Sequence, residues 1–191
     1  MNVGIIGQGF VGSAINNTLS QYHHVKTYDI DKSKSNSSLE DLVSHSDIIF
    51  VCVPTPMRKN GACDTRILKS AIDSAYSEIK KQNPPPKHSD FLNYQKKKKV
   101  FIIKSTVPPG TTKFLSKDYP RIDLCFSPEF LTEANSWNDF KHQSRIVIGG
   151  AGAKKVKQMF RKAFPKTPII ITKSETAEMV KYFTNCFLAA K

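Results

Sequence analysis

Apolar residues in this chain fall into short runs separated by longer segments of helical period. Val3-Gly4-Ile5-Ile6, closed by a glycine, reads as a buried parallel strand. Positions 10–21 carry a helical pattern and 25–28 a second strand, which completes a β-α-β unit. The run at 47–53 is a third strand, stopped by Pro54 and Pro56. Over 65–81, Ile67, Leu68, Ala71, Ile72, Ala75 and Ile79 recur at helical spacing, with Asp64 or Thr65 as the cap. Further strands are expected at 100–103, 124–126, 146–148 and 169–171. Helices are expected after Gly110, over 153–163, and from a Ser174 cap onward. Strands alternating with helices predict an α/β fold: a Rossmann-type, doubly wound, mostly parallel sheet with helices on both faces. The organisation expected is a domain over 1–173 and a helix over 174–191 that begins a link to further structure.

One segment breaks the alternation. Pro84-Pro85-Pro86 ends any helix, and the polar stretch that follows makes 83–99 an exposed basic insertion. The net charge of +13 is concentrated there and in the C-terminal third, since 80–99 carries +6 and 141–191 carries +9. A basic surface attracts nucleic acid or small anions such as nucleotides. Lys96-Lys97-Lys98-Lys99 has no interleaved aromatic residues to stack bases, so nucleic acid is not an expected partner. No run approaches the roughly 18 apolar residues of a membrane span, so no membrane is expected either. The four cysteines lack CxxC spacing and the five histidines lack HxH or HxxxH spacing, so no metal is expected. Cys52 and Cys125 sit in strand-like runs as reduced core thiols, which suits a cytoplasmic setting.

The chemistry begins at Gly7-Gln8-Gly9-Phe10-Val11-Gly12, which follows the first strand and opens a helix. Gly7 permits the tight turn, Gly9 admits a pyrophosphate to the backbone, and Gly12 lets helix and strand pack closely. The helix start offers free N–H groups and a partial positive charge to the phosphates. Asp29, 22 positions after Gly7, stands where it can accept hydrogen bonds from a ribose. Its charge opposes a 2′-phosphate, so the expected cofactor is NAD and not NADP. Three more loops leave strand ends on that side: Val53-Pro54-Thr55-Pro56, Ser105-Thr106-Val107-Pro108-Pro109-Gly110, and Ser127-Pro128-Glu129-Phe130-Leu131-Thr132-Glu133. Ligands of open α/β sheets bind beyond such ends.

Together with the helix from Ala177 to Ala189, these motifs resemble the N-terminal domain of the UDP-glucose/GDP-mannose dehydrogenase family. The resemblance covers essentially the whole chain; Ser-Thr-Val-Pro-Pro-Gly-Thr-Thr and Pro-Glu-Phe-Leu-x-Glu are its specific parts, and the glycine turn is generic. It implies oxidation of the C6 alcohol of a nucleotide sugar, UDP-glucose first, with reduction of two NAD. It implies that Thr106 and Glu129 handle a water or proton near C6, that Lys181 stabilises an oxyanion, and that Asn185 hydrogen-bonds it. Glu129, Phe130, Leu131 and Glu133 would border the sugar, and Val53, Pro54, Thr55, Thr106 and Glu133 the cofactor. Arg145 matches a family position with either a structural role or a phosphate to face. Lys181 and Asn185 are four apart and share a helix face.

The departures are as informative. Family members continue through a helical dimerisation region and a second nucleotide-binding domain, which holds the cysteine that traps the aldehyde; none of the four cysteines here has that context. Three readings follow: a catalytic half completed by another polypeptide, an NAD-binding module without turnover, and a basic adaptor on a Rossmann scaffold. Met179, Phe183, Phe187 and Ala190 form an apolar stripe at helical spacing. The stripe is expected either to support a homo-oligomer or partner contact, or to fold back on the chain's own sheet.

Overall fold

The structure is a computed structural model that describes residues 1–82 and 98–191. Its sheet has seven strands: β1 (Asn2–Ile6), β2 (His24–Tyr28), β3 (Ile48–Val51), β4 (Lys99–Ile103), β5 (Ile122–Phe126), β6 (Ile146–Gly150) and β7 (Ile169–Thr172). Their spatial order is β2-β1-β3-β4-β5-β6-β7. The first five run parallel; β6 pairs antiparallel with β5, and β7 parallel with β6. This is the Rossmann-type, mostly parallel sheet that the alternation of strands and helices predicted. The order 2-1-3-4-5 puts a topological switch point between β1 and β3, where sheets of this kind open a crevice.

Side chains alternate across the strands, as a period of two requires. Ile49, Val51, Phe101, Ile103, Leu124 and Phe126 join one core with α2 (Leu39–His45), α3 (Arg66–Gln82), α4 (Thr111–Ser116) and the start of α7 (Ser174–Ala190). Val3, Ile5, Ile48, Phe50, Val100 and Ile102 join the other, under α1 (Phe10–Leu19), α5 (Ser136–Lys141) and α6 (Ala153–Ala163). Each fully buried Leu, Ile or Phe side chain contributes about 1.5–3 kcal/mol.

Most expected elements stand within two residues of their expected bounds, and two short helices are additional. In α2 the Ser38 hydroxyl accepts from Asp41 N, and Glu40 and Asp41 sit in the first turn, but only Leu42 and Val43 are buried. In α5 only Phe140 is buried, and no side chain caps it. Of the two caps offered for α3, Asp64 supplies the side-chain bond, accepting from Arg66 N at 3.1 Å.

Two expectations need correction. Ser174 does not cap α7: Lys173 occupies the cap position, and the Ser174 hydroxyl donates to Glu175 Oε2 instead. The basic insertion expected at 83–99 lies outside the described residues over 83–97, and it stops short of 99. Lys99 opens β4 and its Nζ donates to Ser46 O at 2.6 Å, a strand position with a satisfied ammonium.

Helix α7 is also less separate than a link would be. Ala177 and Glu178 are fully buried, and Gly149 lets the helix approach β6: a Cβ there would stand 2.5 Å from Lys173 O and 2.8 Å from Ala177 Cβ. The Glu178 carboxylate accepts from Gly110 N at 2.6 Å, Thr112 N at 2.8 Å and Thr112 Oγ1 at 2.5 Å. It thereby supplies the cap that α4 lacks and ties α7 to the loop after β4.

Candidate functional site

Register brings the site together. Ile6 pairs with Tyr28 and Val51, Val51 with Ile103, and Ile103 with Phe126. The residues that follow β1, β2, β3, β4 and β5 therefore emerge along one edge of the sheet. From β1 to β5 is three inter-strand steps, about 14 Å.

At the first step, Gly7 has φ 92 and its N–H donates to Tyr28 O at 2.8 Å. A Cβ on Gly7 would stand 2.5 Å from Cys52 O, and one on Gly12 would collide with Gly7 O. Packing alone accounts for both glycines. Gly9 is different: its φ is −71, which any residue adopts, and a Cβ there meets nothing within 4 Å. The fold leaves open the space above Gly9. Gly9 also caps α1, which has no side-chain cap and no acidic residue in its first turn. Free N–H groups, a partial positive charge and an open approach are what a pyrophosphate needs, so these residues fit the cofactor. Phe10 is exposed and Val11 half-buried beside the turn. Asp29 adds a function that the spacing did not suggest: its Oδ2 accepts from Gln8 N at 2.6 Å and its Oδ1 from Asp31 N at 2.9 Å. The carboxylate is fixed to the glycine turn before any ribose arrives.

Between the ends, the loops after β3 and β4 are laced together. Ser105 Oγ donates to Val53 O at 2.5 Å, and Thr55 Oγ1 to Thr106 O at 2.7 Å. Cys63 Sγ approaches the same Thr106 carbonyl at 3.6 Å. Thr106 is half-buried and Pro54 exposed.

At the last step stands an ionic cluster. Lys181 Nζ lies 2.8 Å from Glu129 Oε1 and donates to Glu129 O at 2.8 Å, with the two side chains only 9% and 10% exposed. Glu129 Oε2 accepts from Leu131 N at 2.8 Å. Lys104, absent from the sequence-based site, joins them: it is 4% exposed and its Nζ donates to Pro128 O at 3.0 Å. Burial pulls its ammonium down to about 8, against the pull of Glu129 and Cys52 and with the help of Lys181. Phe130 is flanked by cations, with Arg145 Cζ 5.0 Å and Lys181 Nζ 6.0 Å from its ring centroid. Arg145 thus stacks on the loop.

Not every expected residue reaches the cluster. Glu133 is exposed, and Asn185 is exposed one turn past Lys181. The i, i+4 relation is present, but burial along α7 ends at Lys181 and the following residues are half-buried or exposed. Lys104 carried a readable signal: it is a lysine directly after an apolar strand, next to a motif loop. Three of the four cysteines make weak nucleophiles, because burial pushes the Cys52 thiol up to about 12 and raises Cys125 further and Cys63 too, while Cys186 is exposed on α7. Among the described residues no cluster of His, Cys, Asp and Glu suits a metal, and no helix is long and apolar enough to cross a membrane.

Comparisons with known proteins bear on the family and the fold. The model of the UDP-glucose/GDP-mannose dehydrogenase family, NAD binding domain, matches residues 32–167, which include the loops after β3, β4 and β5. An uncharacterized protein of Methanocaldococcus jannaschii is 33% identical over the whole chain, which covers 24% of that protein. The UDP-glucose 6-dehydrogenase YwqF of Bacillus subtilis is 30% identical over the whole chain, which covers 49% of it. The structure of a UDP-glucose dehydrogenase from Pyrobaculum islandicum superposes with a TM-score of 0.80 at 24% identity, over 98% of this chain and 50% of that one. The chain belongs to the UDP-glucose/GDP-mannose dehydrogenase family and carries its NAD-binding domain. It spans from about a quarter to half the length of these relatives.

Proposed function

We propose that this chain supplies the cofactor-binding side of a site that oxidises the C6 alcohol of a nucleotide sugar, UDP-glucose first among the candidates. The observation that carries the reading is the buried Lys181–Glu129 pair on the same strand-end edge as the open Gly9 turn. Bound NAD supplies the hydride acceptor. Gly7 to Gly12 and Asp29 hold its pyrophosphate and ribose, and Val53, Thr55 and Thr106 line its path. An alkoxide forming at C6 is stabilised by the Lys181 ammonium, a preorganised cation in a largely dry site. Glu129, with Thr106, holds or passes the proton. Phe130 and Leu131 border the sugar; Glu133 and Asn185, exposed beside the cluster, join it only through contact with the bound sugar.

Saturation-transfer NMR tests this reading, since it registers weak binding. With NAD present, UDP-glucose should receive saturation at its C6 protons, and Lys181→Met should abolish it. No transfer to any sugar proton in the wild-type chain contradicts the reading.

A second oxidation, from aldehyde to acid, proceeds through a thiohemiacetal and needs a reactive thiolate. With Cys52, Cys63 and Cys125 all raised and Cys186 exposed on the outer part of α7, the purified 191-residue chain is expected to form no uronic acid from UDP-glucose and NAD. Mass spectrometry checks this; sustained uronate formation contradicts it.

The stripe on α7 supports a contact with other polypeptide. Phe183 and Phe187 stack at 6.5 Å, and they, Met179 and Leu188 are all exposed, while the helix turns Ser174, Ala177, Glu178 and Lys181 inward. Burying each phenylalanine is worth about 1.5–3 kcal/mol. Light scattering at high concentration should show a mass above the monomer, and Phe187→Asp should return it to the monomer. A strict monomer whose solubility the substitution leaves unchanged contradicts the contact.

A further inference from the structure

Lys104 is the buried charge that the reading above does not use. It follows β4 directly, and its N–H continues the sheet register by donating to Val51 O at 3.0 Å. Its side chain runs under the loop after β5. Two successive carbonyls of that loop are each held by an ammonium from a different element, Pro128 O by Lys104 and Glu129 O by Lys181. An ammonium has three donors. Among the described residues Lys104 has one acceptor and no carboxylate within ion-pair distance. Burying a charge so sparsely partnered is unfavourable, and an apolar side chain of similar length would fill the same volume more cheaply. Stability of the fold does not explain a lysine here.

We propose that Lys104 is a positioning residue of this site: with Lys181 it fixes the Pro128–Glu129 peptide, and its charge leaves the cluster with one positive charge in excess. This rests on the reading of Glu129 and Lys181 as the reacting pair. Protonated Lys104 gives two cations against one carboxylate, a balance that favours an anion in the crevice, and its loss of a proton makes the cluster neutral. The groups that face it are Glu129 after β5, Cys52 after β3, Lys181 on α7 and Cys125 in β5. With Cys52 and Cys125 held as neutral thiols by burial, Lys104 is the group placed to change the balance close to neutrality.

Carbon-detected NMR on the chain without ligand tests the proposal, following Pro128 C′ and Glu129 Cδ from pH 6.5 to 9.5. Both should step near pH 8 in the wild type, where Lys104 titrates. The step should vanish in Lys104→Met and leave the pH window in Lys104→Arg. At a fixed pH near 7 the Leu131 amide, bonded to Glu129, should exchange at least about tenfold faster in Lys104→Met, with Lys104→Arg restoring part of the protection. A smooth wild-type curve, or a step that persists in Lys104→Met, overturns it. If Lys104→Met does not fold, the wild-type curve and Lys104→Arg still decide. Because no sugar or NAD is present, failure here is distinct from failure of UDP-glucose to bind.

Discussion

Gly9→Val is expected to leave the fold almost intact and to remove NAD binding. Its φ of −71 and ψ of −167 suit valine, and the space around its Cβ position is empty. The loss of a favoured cap residue is worth about 1 kcal/mol, which in a chain of this size lowers the melting temperature by about 2–4 °C. The isopropyl group would stand over the start of α1, where the phosphates must approach the backbone, so affinity for NAD should fall on the order of 100-fold or more. Gly12→Ala should behave in the opposite sense. Its methyl group would collide with the Gly7 carbonyl, a rigid backbone atom, so the expected loss of stability is about 3 kcal/mol or more. Calorimetric titration and thermal melts on both variants check the pair. Undiminished affinity in Gly9→Val would mean that the turn is not the cofactor site.

The second large effect is expected at Glu178. Glu178→Ala removes the acceptor for two backbone N–H groups and one hydroxyl, all at a buried junction between α4 and α7. Orphaning buried donors of a charge-assisted cluster costs about 3–5 kcal/mol. At roughly 2–4 °C per kcal/mol, the melting temperature should fall by about 6–20 °C. Because Lys181 lies one turn further on the same helix, its contact with Glu129 should loosen at the same time. Glu178→Gln keeps one acceptor oxygen and should lose about half as much. A fall of no more than about 2 °C for the alanine variant would show that α7 is held by its apolar contacts alone.

Elements with a strong period were readable from the chain itself. The strands announce themselves as short apolar runs because both faces of the sheet are covered, which makes every position apolar. Helices α3 and α6 are long enough for their buried faces to repeat. The short helices α2 and α5 bury two residues and one, too few for any period, although the Ser38 cap with its two acids was a local signal. The glycine turn was legible because each glycine answers a separate steric demand, and the structure sorts them: close backbone packing requires Gly7 and Gly12, while no atom of the protein crowds the Cβ position of Gly9. Periodicity was only half the story at α7. The stripe of Met179, Phe183 and Phe187 does not fold back on the sheet, and the helix is anchored through Ala177, Glu178 and Lys181 instead. Those two charges have fixed partners, Gly110 and Thr112 for one and Glu129 for the other, which no hydrophobic pattern records. The position of Lys104 after an apolar strand was readable, but its role was not, because that role depends on a carbonyl 24 positions away.

The account rests on a dinucleotide held at the turn after β1, with its ribose on a carboxylate that is already fixed there. Titration calorimetry of the chain with NAD and with NADP, on the wild type and on Asp29→Asn, tests this most directly. The expected result is binding of NAD, affinity for NADP at least about tenfold weaker because a 2′-phosphate meets the Asp29 charge, and a loss of about 10–100-fold for NAD in the variant. No heat with either cofactor, or equal affinity for both that Asp29→Asn leaves unchanged, would contradict it.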